Sequence, residues 1–173
     1  MIVVDSSALL AVLFKEPEKQ TFQAILPGAD RCVISAVDAH ETACVLRLRH
    51  GQAMVEDLWR LLEENAIEIV PFDAIQVRAA AVALDRYGKG VDPKARLNLC
   101  DCAACALAKT INSPLLFKGH DFTATDVRPV VWPIVAPVRM GVVESGTLTT
   151  ASSTTGSPPR RPPERGRRSS GRR

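Results

Sequence analysis

Short β-like runs keep recurring just ahead of stretches with helical periodicity, and that alternation leaves the chain few folds to choose from. MIVV (1–4), CVI (32–34), IEIV (67–70) and PLLF (114–117) are such runs. The first is wholly apolar, as expected of a strand covered on both faces of a parallel sheet. Helices are predicted between them. Residues 6–14 follow the first run, and Pro17 opens a second helix in EPEKQTFQAIL, where its missing N–H costs little. Ser35 can cap a helix through residue 49, which Gly51 closes. Residues 52–65 carry Val55, Leu58, Trp59 and Leu62 on one face, and 73–87 read as an alanine-rich helix. After a polar loop, GKGVDPKARLN, comes a compact apolar helix over 101–110, and residues 128–131 supply a fifth strand. With no internal repeat, this order predicts an α/β sandwich around a mainly parallel sheet.

Charge divides the chain in two. Residues 1–136 hold 14 Lys and Arg against 17 Asp and Glu, whereas 137–173 hold 8 Arg against 2 Glu. The net +3 therefore belongs to the tail, not to the domain. Residues 1–136 are expected to form one domain, and 137–173, rich in Arg, Pro and Ser, to be disordered because they have too little apolar surface to offset ordering. Such a tail can attract phosphates; the favoured reading is a solvated extension without a selected role. The apolar start lacks a basic leader and is broken by Asp5, so neither a signal peptide nor a membrane span is expected. The five scattered cysteines then read as reduced thiols of a cytoplasmic protein.

In open α/β sheets the functional crevice lies beyond the carboxyl ends of the strands. Acidic residues dominate there. Asp5 ends the first run, Glu41 lies one and a half turns into the helix after CVIS, Asp101 begins the helix after the polar loop, and Asp121 follows PLLF closely. Carboxylates that converge repel one another unless a cation sits among them, and hard oxygen ligands suit Mg²⁺ or Mn²⁺. Metal-assisted phosphodiester hydrolysis is the chemistry such a cluster supports. Taken singly, Asp5 and Asp101 also read as helix caps, Asp121 as a turn residue and Glu41 as a solvated helix position.

The segments VVDSSALLAVLFKEPE, ISAVDAHETACVLRLRHG, RYGKG followed by ARLNLCDCAACALAK, and PLLFKGHDFTATDV occur in an order and spacing that resemble the PIN-domain ribonucleases, specifically VapC toxins of type II toxin-antitoxin systems. The likeness runs from residue 1 to about 132. It implies a three-layer α/β/α sandwich and an acidic pocket of Asp5, Glu41, Asp101 and Asp121 holding Mg²⁺ or Mn²⁺. It also implies RNA cleavage, a VapB-like antitoxin as partner, and a homodimer. Asp5 and Asp101 are the first choices for direct ligands, with Glu41 and Asp121 completing the site. Asp126 and Ser6 are read as supporting residues. The chain departs from the family pattern at Cys100, where glycine is usual, at Cys105, where an aromatic is common, and at His120, where asparagine is common.

Other chemistries fit less well. Zinc at Cys100, Cys102 and Cys105 lacks an obvious fourth ligand, and Cys102 and Cys105 fall on one helix face as small apolar residues do. A phosphotransfer enzyme with a nucleophilic Asp5 wants a second acid at position 7, which is serine. A response-regulator receiver wants paired acids in its first loop. The remaining rival is a catalytically impaired PIN-like protein that binds RNA or an antitoxin without cutting, and retention of all four acids speaks against it.

Overall fold

The computed structural model describes residues 1–131. Four parallel strands, β1 (Ile2–Val4), β2 (Cys32–Ser35), β3 (Ile67–Val70) and β4 (Leu115–Leu116), form one sheet in the order β3-β2-β1-β4. Ile2 is in register with Cys32, Val3 with both Val33 and Leu115, and Cys32 with Ile67. Six helices surround the sheet: α1 (Ser6–Leu13), α2 (Lys19–Gly28), α3 (Ala36–His50), α4 (Gln52–Glu64), α5 (Ala74–Tyr87) and α6 (Leu99–Thr110).

Side chains alternate across each strand and so sort the helices into two layers. Ile2 and Val4, Cys32 and Ile34, and Leu116 point into one core, shared with Leu9, Phe22, Leu46, Leu58 and Leu62 of the first four helices. Val3, Val33 and Leu115 point the other way, onto Ala83, Cys102, Cys105 and Leu107 of α5 and α6. The result is an α/β/α sandwich. From Cys102 to Ala108 every residue of α6 is buried, as expected of a helix apolar on all sides. Its alanines allow close packing against both the sheet and α5.

Local chemistry sets the joints. Gly51 ends α3 at φ 87°, a conformation that favours glycine, so α4 can double back at once. Gly88 ends α5 under a different constraint, because a Cβ there would lie 2.4 Å from the Leu84 carbonyl oxygen. Lys89 N–H then donates to Leu97 O and Leu97 N–H to Tyr87 O, pinning the base of the polar loop ahead of α6.

Three expectations from sequence need correcting. Residues 128–131 form no strand: Pro129 makes a single parallel bridge to Leu115, and its missing N–H prevents a longer ladder. α2 starts at Lys19, with Pro17 in the preceding turn rather than in the helix. α6 starts at Leu99 with Asn98 as its cap, so Asp101 lies one turn inside. The expected disordered tail, 137–173, lies outside the described residues. No described helix is long and apolar enough to cross a membrane.

Candidate active site

Because all strands are parallel, their carboxyl ends share one edge of the sheet. Chain order also reverses there, since β2 and β3 extend from one side of β1 and β4 lies on the other. Such a switch point leaves a crevice between the loops that leave the two neighbouring strands. Asp5 sits in it, directly after β1, with its N–H donating to Leu116 O at 2.9 Å. Only 2% of Asp5 is exposed.

Asp5 has two tasks, divided between its oxygens. Oδ2 accepts from the Ser7 N–H at 2.9 Å and from the Ser7 hydroxyl, capping α1. Oδ1 is buried and has no hydrogen-bond partner. The Ser7 Oγ accepts in turn from the Lys118 N–H at 2.9 Å, linking the ends of β1 and β4. The serine bonded to the Asp5 carboxylate is thus Ser7 rather than Ser6. The Lys118 ammonium is held elsewhere, by Glu16 at 2.6 Å and Glu18 at 3.4 Å.

From α3 come Asp38 and Glu41, three residues apart and hence on one helix face. Asp38 is fully buried and neither of its carboxylate oxygens has a hydrogen-bond partner. From α6 comes Asp101, whose Oδ2 accepts from the Asn98 N–H at 2.7 Å and closes a capping box. Only one of its oxygens serves that cap. Asp121 begins a short 3-10 helix, Asp121–Ala124, and is exposed.

Burial and neighbouring charges act on these groups together. Burial pushes Asp5 up to about 6, the Ser7 hydrogen bonds oppose this, and the charges of Asp101 and Glu41 add to it. Asp38 is held well above the usual carboxylate range by burial first, then by Asp5, Asp101 and Glu41. Asp101 is raised by burial, against its bond from Asn98, and by Asp121 and Glu41. Asp5, Asp38, Glu41 and Asp101 thus lie within electrostatic reach of one another, and Asp121 within reach of Asp101. Among the described residues no three His, Cys, Asp or Glu side chains form a ready-made coordination sphere. The arrangement suits an ion held by one or two carboxylates and several waters better than an all-protein cage.

The cysteines of α6 sit in two different environments. Cys102 and Cys105 are buried in the apolar layer, and burial pushes their thiols up to about 11 and about 12. Cys100 lies at the rim of the acidic cluster. Burial, then hydrogen bonding to Glu41, then the charges of Glu41, Asp38 and Asp101 push it up to about 12. It is a neutral thiol against Glu41, so the substituted glycine position does not fill the crevice with charge. Asp126 is away from the cluster, paired with Lys109 at 2.8 Å. His120 is exposed and precedes the 3-10 helix without capping it through its side chain.

Asp38 was missed by sequence reasoning, although a signal existed. It lies one helical turn before Glu41, on the same face and closer to the end of β2.

A parallel-sheet sandwich with carboxylates gathered at its switch point is the architecture of a PIN domain, and the family model for the PIN domain matches residues 2–128. The chain is 39% identical over 132 residues to ribonuclease VapC30 of Mycobacterium tuberculosis, covering 76% of this chain and all of that one. It is 39% identical over 129 residues to a ribonuclease VapC of Mycolicibacterium smegmatis, covering 75% of this chain and 99% of the relative. Among solved structures it resembles VapC20 of M. tuberculosis, a toxin that cleaves the sarcin-ricin loop, with TM-score 0.62 and 16% identity over 75% of this chain and 98% of that one. VapBC2 of Rickettsia felis, solved with a fragment of promoter DNA, matches with TM-score 0.58 and 15% identity over 75% and 96% of the two chains. The chain belongs to the PIN-domain family, among its VapC ribonucleases.

Proposed function

We propose that this chain is a divalent-cation-dependent endoribonuclease and the toxin of a type II toxin-antitoxin pair. The observation that carries the reading is the set of buried carboxylate oxygens without partners, one on Asp5 and two on Asp38, at the switch point of the sheet. Oxygens in that state fit a hard cation, Mg²⁺ or Mn²⁺. Asp5 and Asp101 would hold it directly, each fixed in place by a hydrogen bond that uses one oxygen, from Ser7 or from Asn98. Glu41 and Asp121 would complete the shell, directly or through water.

When bound, the ion supplies a hydroxide nucleophile and stabilises the leaving oxygen of the phosphodiester. The protein's own contribution is positional. Asp5 is locked to the sheet by its backbone bond to Leu116 and to the β4 end by Ser7, so the anionic wall does not have to reorganise around RNA. The domain is net acidic, so RNA must be drawn in by local cations. Arg47, Arg49, Lys94 and Arg96 are candidates, whereas the Lys118 ammonium is engaged by Glu16 and Glu18.

A VapB-like antitoxin is the partner this reading requires, and a homodimer the assembly. The VapC names of the relatives and the toxin-antitoxin complexes among structural neighbours support the first. The test is cleavage of RNA by the purified chain with Mg²⁺ or Mn²⁺, beside an Asp5→Ala, Asp101→Ala double variant. Cleavage by the wild type alone is expected. Equal inertness with RNA binding retained would replace this reading with that of a non-cutting binding protein.

A further inference from the structure

Asp38 has none of the ordinary reasons for a buried carboxylate. It is the third residue of α3, after the cap Ser35. At the same position in α6, Asp101 reaches back to the N–H of its cap residue. Asp38 makes no such bond. It forms no ion pair among the described residues, and solvent does not reach it, since its exposure is 0%. The bond nearby, from the Thr42 hydroxyl at 2.6 Å, goes to its backbone carbonyl and leaves the side chain untouched. Both carboxylate oxygens are therefore orphaned, as is Oδ1 of Asp5, and the two acids follow the carboxyl ends of the paired strands β1 and β2. An unpaired buried carboxylate is costly to keep charged, and a divalent ion can satisfy several such oxygens together.

We propose that Asp38 is a fifth carboxylate of the cation site, its buried charge helping Asp5 and Asp101 to hold the divalent ion. The proposal rests on the cation-dependent reading above and adds a carboxylate that neither the four-acid pattern nor the likeness to VapC toxins assigns. It gives Asp38 a role that helix capping, ion pairing and solvation do not.

The experiment titrates Mn²⁺ into the full chain and follows binding by calorimetry and by the upward shift of Tm. It compares wild type, Asp38→Asn, Asp38→Ser and an Asp5→Asn, Asp101→Asn double variant. Asp38→Asn is expected to weaken Mn²⁺ binding about 10- to 100-fold, by analogy with losses at groups that support metal ligands. In EDTA the same variant should be at least as stable as wild type, since it removes a charge and keeps the shape. Its Tm should then fall behind as Mn²⁺ is added. If Asp38→Asn binds Mn²⁺ like wild type while the double variant does not, Asp38 is no part of the site and the cation reading survives. If wild type itself binds neither Mn²⁺ nor Mg²⁺, the cation reading fails and takes this proposal with it. Should Asp38→Asn not fold, Asp38→Ser carries the same comparison. Failure of both to fold with or without Mn²⁺ makes Asp38 a structural residue and overturns the proposal.

Discussion

Ser7→Ala should uncouple the two strand ends on which the acidic site is built. The wild-type hydroxyl accepts the Lys118 N–H at 2.9 Å and donates to Asp5 Oδ2, while the Ser7 N–H makes a separate bond to the same oxygen. The substitution removes the first two and leaves the third. A hydrogen bond to a charged group contributes about 1.5–3 kcal/mol, and a buried donor left without an acceptor costs about 1–3 kcal/mol. Ser7 is partly exposed, so water can replace some of what is lost, and a total near 2–4 kcal/mol is expected. Urea unfolding in EDTA at neutral pH, where Asp5 is ionised, measures it. Ser6→Ala is the control: its hydroxyl takes no part in these bonds, and a loss within about 0.5 kcal/mol is expected. A Ser7→Ala loss under about 0.5 kcal/mol, or an equal loss in Ser6→Ala, would refute the linkage.

The acidic cluster also predicts an unusual pH profile for the ion-free chain. Between the ordinary Asp value of 3.8 and about 6, folded Asp5 holds a proton that the unfolded chain has released. Its contribution is present below about 4 and lost as pH rises towards 6, by about 3 kcal/mol as an order of magnitude. Asp38 acts in the same direction, so Asp5→Asn should reduce this downward slope in urea unfolding across pH 4–7 rather than abolish it. Leu107→Ala empties a fully buried position in α6 and should cost about 3–5 kcal/mol by thermal or urea denaturation; under about 1 kcal/mol would contradict the packing described. Gly88→Ala puts a methyl against the Leu84 carbonyl oxygen and should lower stability by about 1–3 kcal/mol, whereas an unchanged Tm would mean that this turn shifts freely.

Elements whose signal is local were readable in the sequence. β3 is bounded at 67 and 70 in both readings, and the α3–α4 joint was marked by Gly51. Where two local signals competed, the sequence reading chose the wrong one. Asp101 looked like a helix start, but Asn98 three residues earlier forms the stronger cap, with Asp101 as the returning half of the box. Residues 128–131 read as a strand on composition, yet Pro129 cannot donate to a ladder. The site divides in the same way. Asp5, Glu41, Asp101 and Asp121 stand out because each lies near a strand end or helix start. Asp38 lies as near a strand end as these and was passed over, and the packing of α3 against the rest of the domain is what reveals its burial. Ser6 and Ser7 are indistinguishable by type, and the helix turn alone decides which one reaches Lys118.

The placement of β1 between β2 and β4 has a consequence for timing. The bond from Lys118 to Ser7 joins residues 111 apart, and Asp5 donates to Leu116 across a similar span. At about 5–20 residues per second, on the order of ten seconds separates synthesis of the first wall of the crevice from the last. Through that interval β1 has an open edge on the side that β4 will fill, and Ser7 has nothing to receive. A chain interrupted before residue 115 thus carries Asp5, Asp38, Glu41 and Asp101 without the strand that fixes their frame. In an unfinished copy of this protein the crevice has one wall, and the second arrives only with β4.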